Sequence, residues 1–108
     1  MNKVSPAQLI PAALISLAVL FPPQRAFAAD VTRGKTIAQR WCSACHLVAP
    51  EQTRAVADVP SFAAVARMKL PPDSLKTFLS DPHPKMPDMS LTRSEIDDIV
   101  AYIQSLGR

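Results

Sequence analysis

Residues Cys42-Ser43-Ala44-Cys45-His46 constrain this 108-residue chain more than any other stretch. They read C-x-x-C-H, the attachment signature of a c-type haem. Two thiols at that spacing can add across the two vinyl groups on one porphyrin edge and become thioethers. The imidazole that follows then lies under the iron, placed to serve as its proximal ligand. A plain C-x-x-C has other readings, a thioredoxin-like dithiol or half of a zinc site. The zinc reading lacks ligands, because the chain holds no further cysteine and His83 is its only other histidine. The dithiol remains the competing reading, although it asks for a strand–helix–strand context and no alternating strand pattern is present.

The front of the chain reads as an export signal. Lys3 supplies a positive start, residues 9–21 form an apolar run, and Ala26-Phe27-Ala28 is an A-x-A cleavage site. This divides the chain into a cleaved secretory signal peptide, residues 1–28, and a single domain, residues 29–108. An uncleaved anchor is the alternative, but the run is broken by Pro11 and closed by Pro22-Pro23, short of the about 20 residues of a spanning helix. Export places the mature protein in a bacterial periplasm, with membrane contact only through the leader.

Losing the leader removes Lys3 and Arg25, so 12 basic residues fall to 10 against nine acids. A mature net charge of +1 provides no basic field for nucleic acid. The remaining about 80 residues make a core that is marginal without a staple. One covalent haem would be that staple, a large apolar plate for short helices to pack around.

The coarse pattern is all-α. Residues 31–44 form a helix that Thr32 can cap, with Ile37 and Trp41 on one face near Gly34 and Ala38. Gly34 is either a slack surface glycine or the site of a close helix crossing. Residues 47–59 have no period and read as a long loop. Ser61 caps a short helix over 62–68, and Pro71-Pro72 opens another over 72–79 with Leu75, Phe78 and Leu79 as its apolar face. Residues 80–91 carry Pro82, Pro84 and Pro87, which forbid a helix. Thr92-Arg93-Ser94-Glu95 is a capping box. It opens a last helix with the stripe Ile96, Ile99, Val100, Ile103 and Leu106, and Gly107 ends it.

A haem iron with one histidine has a second axial face. Met86, Met89 and His83 are the candidates; Met68 is assigned to a helix. A thioether is a soft ligand that favours ferrous iron. Met86 precedes Pro87 in a stiff loop between helices, so it leads Met89. His83, between Pro82 and Pro84, reads as a solvent-exposed loop histidine, with bis-histidine ligation as the alternative.

Taken together, these residues resemble a bacterial class I cytochrome c over essentially the whole mature chain. The pieces stand in the family's order: Gly34 and Cys42-Ser43-Ala44-Cys45-His46, then Val59-Pro60-Ser61-Phe62, then Lys85-Met86-Pro87, then Leu91 to Ile96 running into Val100-Ala101-Tyr102-Ile103. The resemblance implies a small cytochrome c fold whose N- and C-terminal helices cross at right angles, Gly34 facing Tyr102. It implies Met86 as axial ligand and the Pro60 carbonyl, rather than that of Pro50, as acceptor for the proximal imidazole N–H. Two departures stand out. Val59 takes the place of the usual glycine before that proline, which alters the local turn. Ala38 stands where the first helix usually carries an aromatic, with Trp41 beside it, so the helix contact is expected to be repacked.

The function these features imply is one-electron transfer without catalysis. The protein would be a periplasmic monohaem carrier with His/Met-ligated iron, meeting a redox donor and a redox acceptor in brief encounters. Lys35, Lys69, Lys76 and Lys85 could ring the haem edge and steer an acidic partner, though a surface of near-zero net charge reads more simply as solvated. Two alternatives differ in kind: the haem subunit of a periplasmic oxidoreductase complex, and a ligand-binding haem sensor with an open sixth position.

Overall fold

A computed structural model describes residues 2–3, 20–22, 28–56, 58–81 and 85–108 of the chain. Most of residues 1–28, the expected leader, and His83 with Pro82 and Pro84 lie outside these. Four helices follow in order: α1 (Val31–Trp41), α2 (Phe62–Arg67), α3 (Pro72–Ser80) and α4 (Arg93–Ser105). There is no strand among the described residues. No helix among them is long and apolar enough to cross a membrane.

The helix ends follow local chemistry. Asp30, not Thr32, caps α1: its carboxylate accepts the Arg33 N–H at 2.9 Å. The helix stops at Trp41 instead of running to residue 44. The Ser43 hydroxyl donates to the Gln39 carbonyl at 2.5 Å. The Ser43 N–H turns back to Ala38 O, already shared with Cys42. The capping box of α4 is complete, with Thr92 N–H donating to Glu95 at 2.8 Å and Glu95 N–H to Thr92 Oγ1 at 3.2 Å. Gly107 is not a left-handed cap, since no glycine in the described chain has positive φ. It is small because a Cβ there would stand 3.1 Å from the Ala66 carbonyl oxygen.

Helix α4 is the hub and contacts α1, α2 and α3. Its predicted stripe is buried at Ile96, Ile99, Val100 and Ile103, and Asp98 and Tyr102 are buried as well. Full burial of an isoleucine such as Ile99 contributes about 1.5–3 kcal/mol. Ala38, Phe62, Ala66, Leu75 and Leu79 complete the core from the other helices, with Val48 and Ala49 from the loop between α1 and α2. Phe78 departs from its expected face and is 43% exposed.

The α1–α4 contact is the closest in the molecule. A Cβ on Gly34 would lie 2.1 Å from the Asp98 carbonyl oxygen and 2.9 Å from Tyr102 Cβ. Gly34 therefore belongs to a crossing. The absent aromatic of α1 is replaced by close approach of Gly34 and Ala38, while Trp41 stays outside, 49% exposed, with the Arg40 guanidinium 5.0 Å from its ring centroid. Asp98 reinforces the contact. Its carboxylate, 1% exposed, accepts the Asp30 N–H at 2.7 Å and pairs with Arg33, which also donates to Ser94 Oγ at 2.8 Å.

Two outcomes follow from these contacts. Gly34→Ala pushes a methyl into backbone that cannot rotate away, so the denaturant midpoint should fall by an amount equivalent to about 3 kcal/mol. A midpoint unchanged from wild type would contradict the crossing. Glu95 is held below the usual carboxylate range, first by the Thr92 N–H and then by its hydroxyl. The folded chain thus binds this proton less readily than the unfolded chain. The stability it contributes is complete above the unfolded value of 4.5 and is lost as pH falls through the lowered folded value. Glu95→Gln should flatten that part of the acid unfolding profile.

Candidate functional site around the Cys42–His46 turn

The C-x-x-C-H segment is a compact turn at the end of α1. The Cys42 carbonyl accepts both the Cys45 N–H at 3.1 Å and the His46 N–H at 2.9 Å. Both thiols are free; Cys42 is buried and Cys45 is exposed. Burial, with a smaller contribution from Cys45, pushes the Cys42 thiol up to about 11.

The His46 ring is oriented by a distant segment. Its Nδ1 lies 2.7 Å from the Pro60 carbonyl oxygen. A carbonyl only accepts, so Nδ1 carries the proton, and Nε2 presents the lone pair. Two features bring Pro60 there. Asp58 takes a left-handed φ of 71°, so the turn that a glycine before the proline would make is displaced one residue back, to a side chain that tolerates it. Phe62 N–H then donates to Leu47 O at 2.9 Å, pinning the start of α2 beside the motif. The Phe62 ring packs 5.6 Å from the His46 ring and 6.4 Å from that of Tyr102.

The segment after the motif is the loop that its lack of period suggests, and one side chain ties it together. Gln52 binds four backbone groups: its Oε1 accepts from Val48 N–H at 2.9 Å, and its Nε2 donates to Ser43 O, His46 O and Arg54 O at 2.9, 2.8 and 2.8 Å. The Tyr102 hydroxyl, kept above its ordinary pKa mainly by burial, donates to Val48 O at 2.5 Å. Sequence reasoning missed Gln52, the Tyr102 hydroxyl and Asp98. A polar side chain in a loop and an aspartate on an amphipathic helix carry no local signal; their partners lie in the folded chain.

Met86 is half-buried and packs against the hydrophobic core; Met89 is also half-buried, and Met68 at the end of α2 is 57% exposed. The turn therefore gathers Cys42, Cys45 and His46, while Pro60 fixes the imidazole from across the chain. Lys35, Lys76 and Lys69 each have a partner within the chain. Lys35 pairs with Glu51 at 2.6 Å, Lys76 with Asp97 at 3.0 Å, and Lys69 donates to Gly107 O at 3.0 Å.

Two unbridged thiols, an imidazole whose Nε2 is directed by a bond at Nδ1, and an all-α shell with crossed terminal helices define a c-type cytochrome domain. Residues 29–103 match the family described as Cytochrome C oxidase, cbb3-type, subunit III. The chain is 53% identical over 91 residues to Cytochrome c-552 of Bradyrhizobium diazoefficiens, covering 83% of this chain and 88% of that protein. No solved structure matches. The chain belongs to the bacterial class I c-type cytochromes. Its cofactor is covalent haem c, and the donor set fits that group: two reduced sulfurs for thioethers and one imidazole of fixed tautomer for the iron.

Proposed function

We propose that this protein is an exported monohaem electron carrier, held to its haem through Cys42 and Cys45 and to the iron through His46 and Met86. The carrying observation is the Nδ1–Pro60 bond within a C-x-x-C-H turn, which leaves His46 one nitrogen for a metal. When bound, haem c supplies an iron that moves between the ferric and ferrous states. Pro60 strengthens His46 as a donor by holding the proton on Nδ1. Met86 offers a soft sulfur that favours the ferrous state. Were His46 and Met86 both to hold the iron, no site on it would be left for a substrate. Residues 1–28 are read as the leader that takes the chain to the periplasm, where a redox donor and acceptor meet it transiently.

The family description, which names an oxidase subunit, favours a second reading, a haem subunit docked permanently on a larger periplasmic oxidoreductase. Native mass after gentle extraction separates the two: a free chain supports the carrier, and a stable larger complex supports the subunit.

The test of the main reading is spectroscopic, on protein matured in a host that attaches c-type haem. Haem should stay with the polypeptide through acid–acetone extraction, and Cys42→Ala with Cys45→Ala should release it. In the oxidised protein Met86→Ala should lose the sulfur–iron charge-transfer band, whereas Met89→Ala should keep it. If His83→Ala alone turns the haem high-spin, the iron is bis-histidine ligated and the Met86 assignment falls.

A further inference from the structure

The His46 peptide is held at three points by three different parts of the chain. Its N–H donates to Cys42 O at 2.9 Å, its ring Nδ1–H to Pro60 O at 2.7 Å, and its carbonyl accepts from Gln52 Nε2 at 2.8 Å. Pro60 fixes the ring, but a ring can rotate only about the main chain that carries it. The two peptide planes that flank the His46 Cα are fixed separately, the one before it by Cys42 and the one after it by Gln52.

Gln52 is suited to this in a way few side chains are. It is half-buried, and its amide offers both an acceptor and a two-hydrogen donor at one end of a short stem. The acceptor takes the Val48 N–H; the donor is shared among Ser43 O, His46 O and Arg54 O. Two of these carbonyls lie inside the C-x-x-C-H turn, one on each side of Cys45. The other end of the network is rigid, because Val48 O accepts from Tyr102 on α4 and Val48 is 1% exposed. The Gln52 N–H closes a turn onto Ala49 O at 3.1 Å, and the neighbouring Glu51 is tied to Lys35 on α1. The amide is thus anchored to both terminal helices before it reaches the motif.

We propose that Gln52 is the positioning residue for the proximal ligand: its amide fixes the peptide plane that follows His46, so that Nε2 is presented in one orientation. It touches neither iron nor porphyrin and acts only through the main chain. This rests on the reading of His46 as an iron ligand. A loop staple that merely satisfies carbonyls is the plain alternative. It predicts lost stability with an unchanged imidazole.

The experiment compares haem-loaded, full-length variants. Gln52→Met keeps the length of the side chain and removes donor and acceptor. Gln52→Glu keeps an acceptor for Val48 but, when ionised, has no hydrogen for the three carbonyls. Thr92→Ala, which removes the cap of α4, serves as a variant destabilised away from the turn. The readouts are the hyperfine-shifted His46 ring-proton resonances of the oxidised protein and the denaturant midpoint. Both Gln52 variants should shift those resonances, and Thr92→Ala should lower the midpoint while leaving them in place. If Gln52→Met does not fold, Gln52→Glu carries the comparison. Wild-type resonances in a folded Gln52 variant would overturn the proposal, as would an equal shift in Thr92→Ala. A wild type that holds no covalent haem would instead remove the His46 reading beneath it, whereas a haem-loaded wild type beside silent variants would remove only the role of Gln52.

Discussion

Gly34 lies with its backbone against the carbonyl of Asp98, and the remaining architecture is arranged around that approach. The distance leaves no room for a side chain on α1, so the two terminal helices meet through main chain and small residues. Close approach of this kind buries little area by itself. It lets other groups act at short range: the Asp98 carboxylate reaches the start of α1, and Tyr102, one turn further along α4, points past α1 into the segment behind the motif. A buried carboxylate is costly unless every lone pair finds a donor, and here the Asp30 N–H and the Arg33 guanidinium supply them. Removing either partner would leave an uncompensated charge at the contact the fold depends on.

From that crossing, order reaches the C-x-x-C-H turn along two routes. One is apolar: Tyr102 packs on Phe62, and Phe62 packs on His46. The other is polar: Tyr102 holds Val48, Val48 is paired with Gln52, and Gln52 binds carbonyls of the turn. A segment with no helix or strand is thereby given several backbone partners from side chains and turns. The same segment delivers Pro60 to the imidazole, so loop and ligand geometry are set together. A small domain with a thin core gains from this economy, because the groups that position the site also close the fold.

Charges play a local part. Lys35, Lys76 and Lys69 are joined to Glu51, Asp97 and the Gly107 carbonyl, tying helix to loop, helix to helix, and α2 to the chain terminus. Exposed pairs of this sort contribute little stability each.

Much of the fold was legible in the chain because it depends on short-range chemistry. The C-x-x-C-H spacing, the capping box at Thr92 and Glu95, the Ser61 cap and the 3.6-residue stripe of α4 act within a few residues of one another, so their outcome is set before the chain folds. Helix boundaries were less legible: Asp30 displaced Thr32 as a cap, and α1 ended at Trp41, where the Ser43 N–H turns back to Ala38 O. Gly34 was ambiguous alone, since glycine serves a slack surface and a tight crossing equally well. Only the position of Asp98 and Tyr102 opposite it decided between them. Gln52, the Tyr102 hydroxyl and the buried Asp98 carried no local signal, because a hydrogen bond between distant residues has no sequence period. Local chemistry thus determined which groups this protein offers a haem, and tertiary structure decided how His46 is held, because its ring and its carbonyl are bound by segments that meet only when the terminal helices cross.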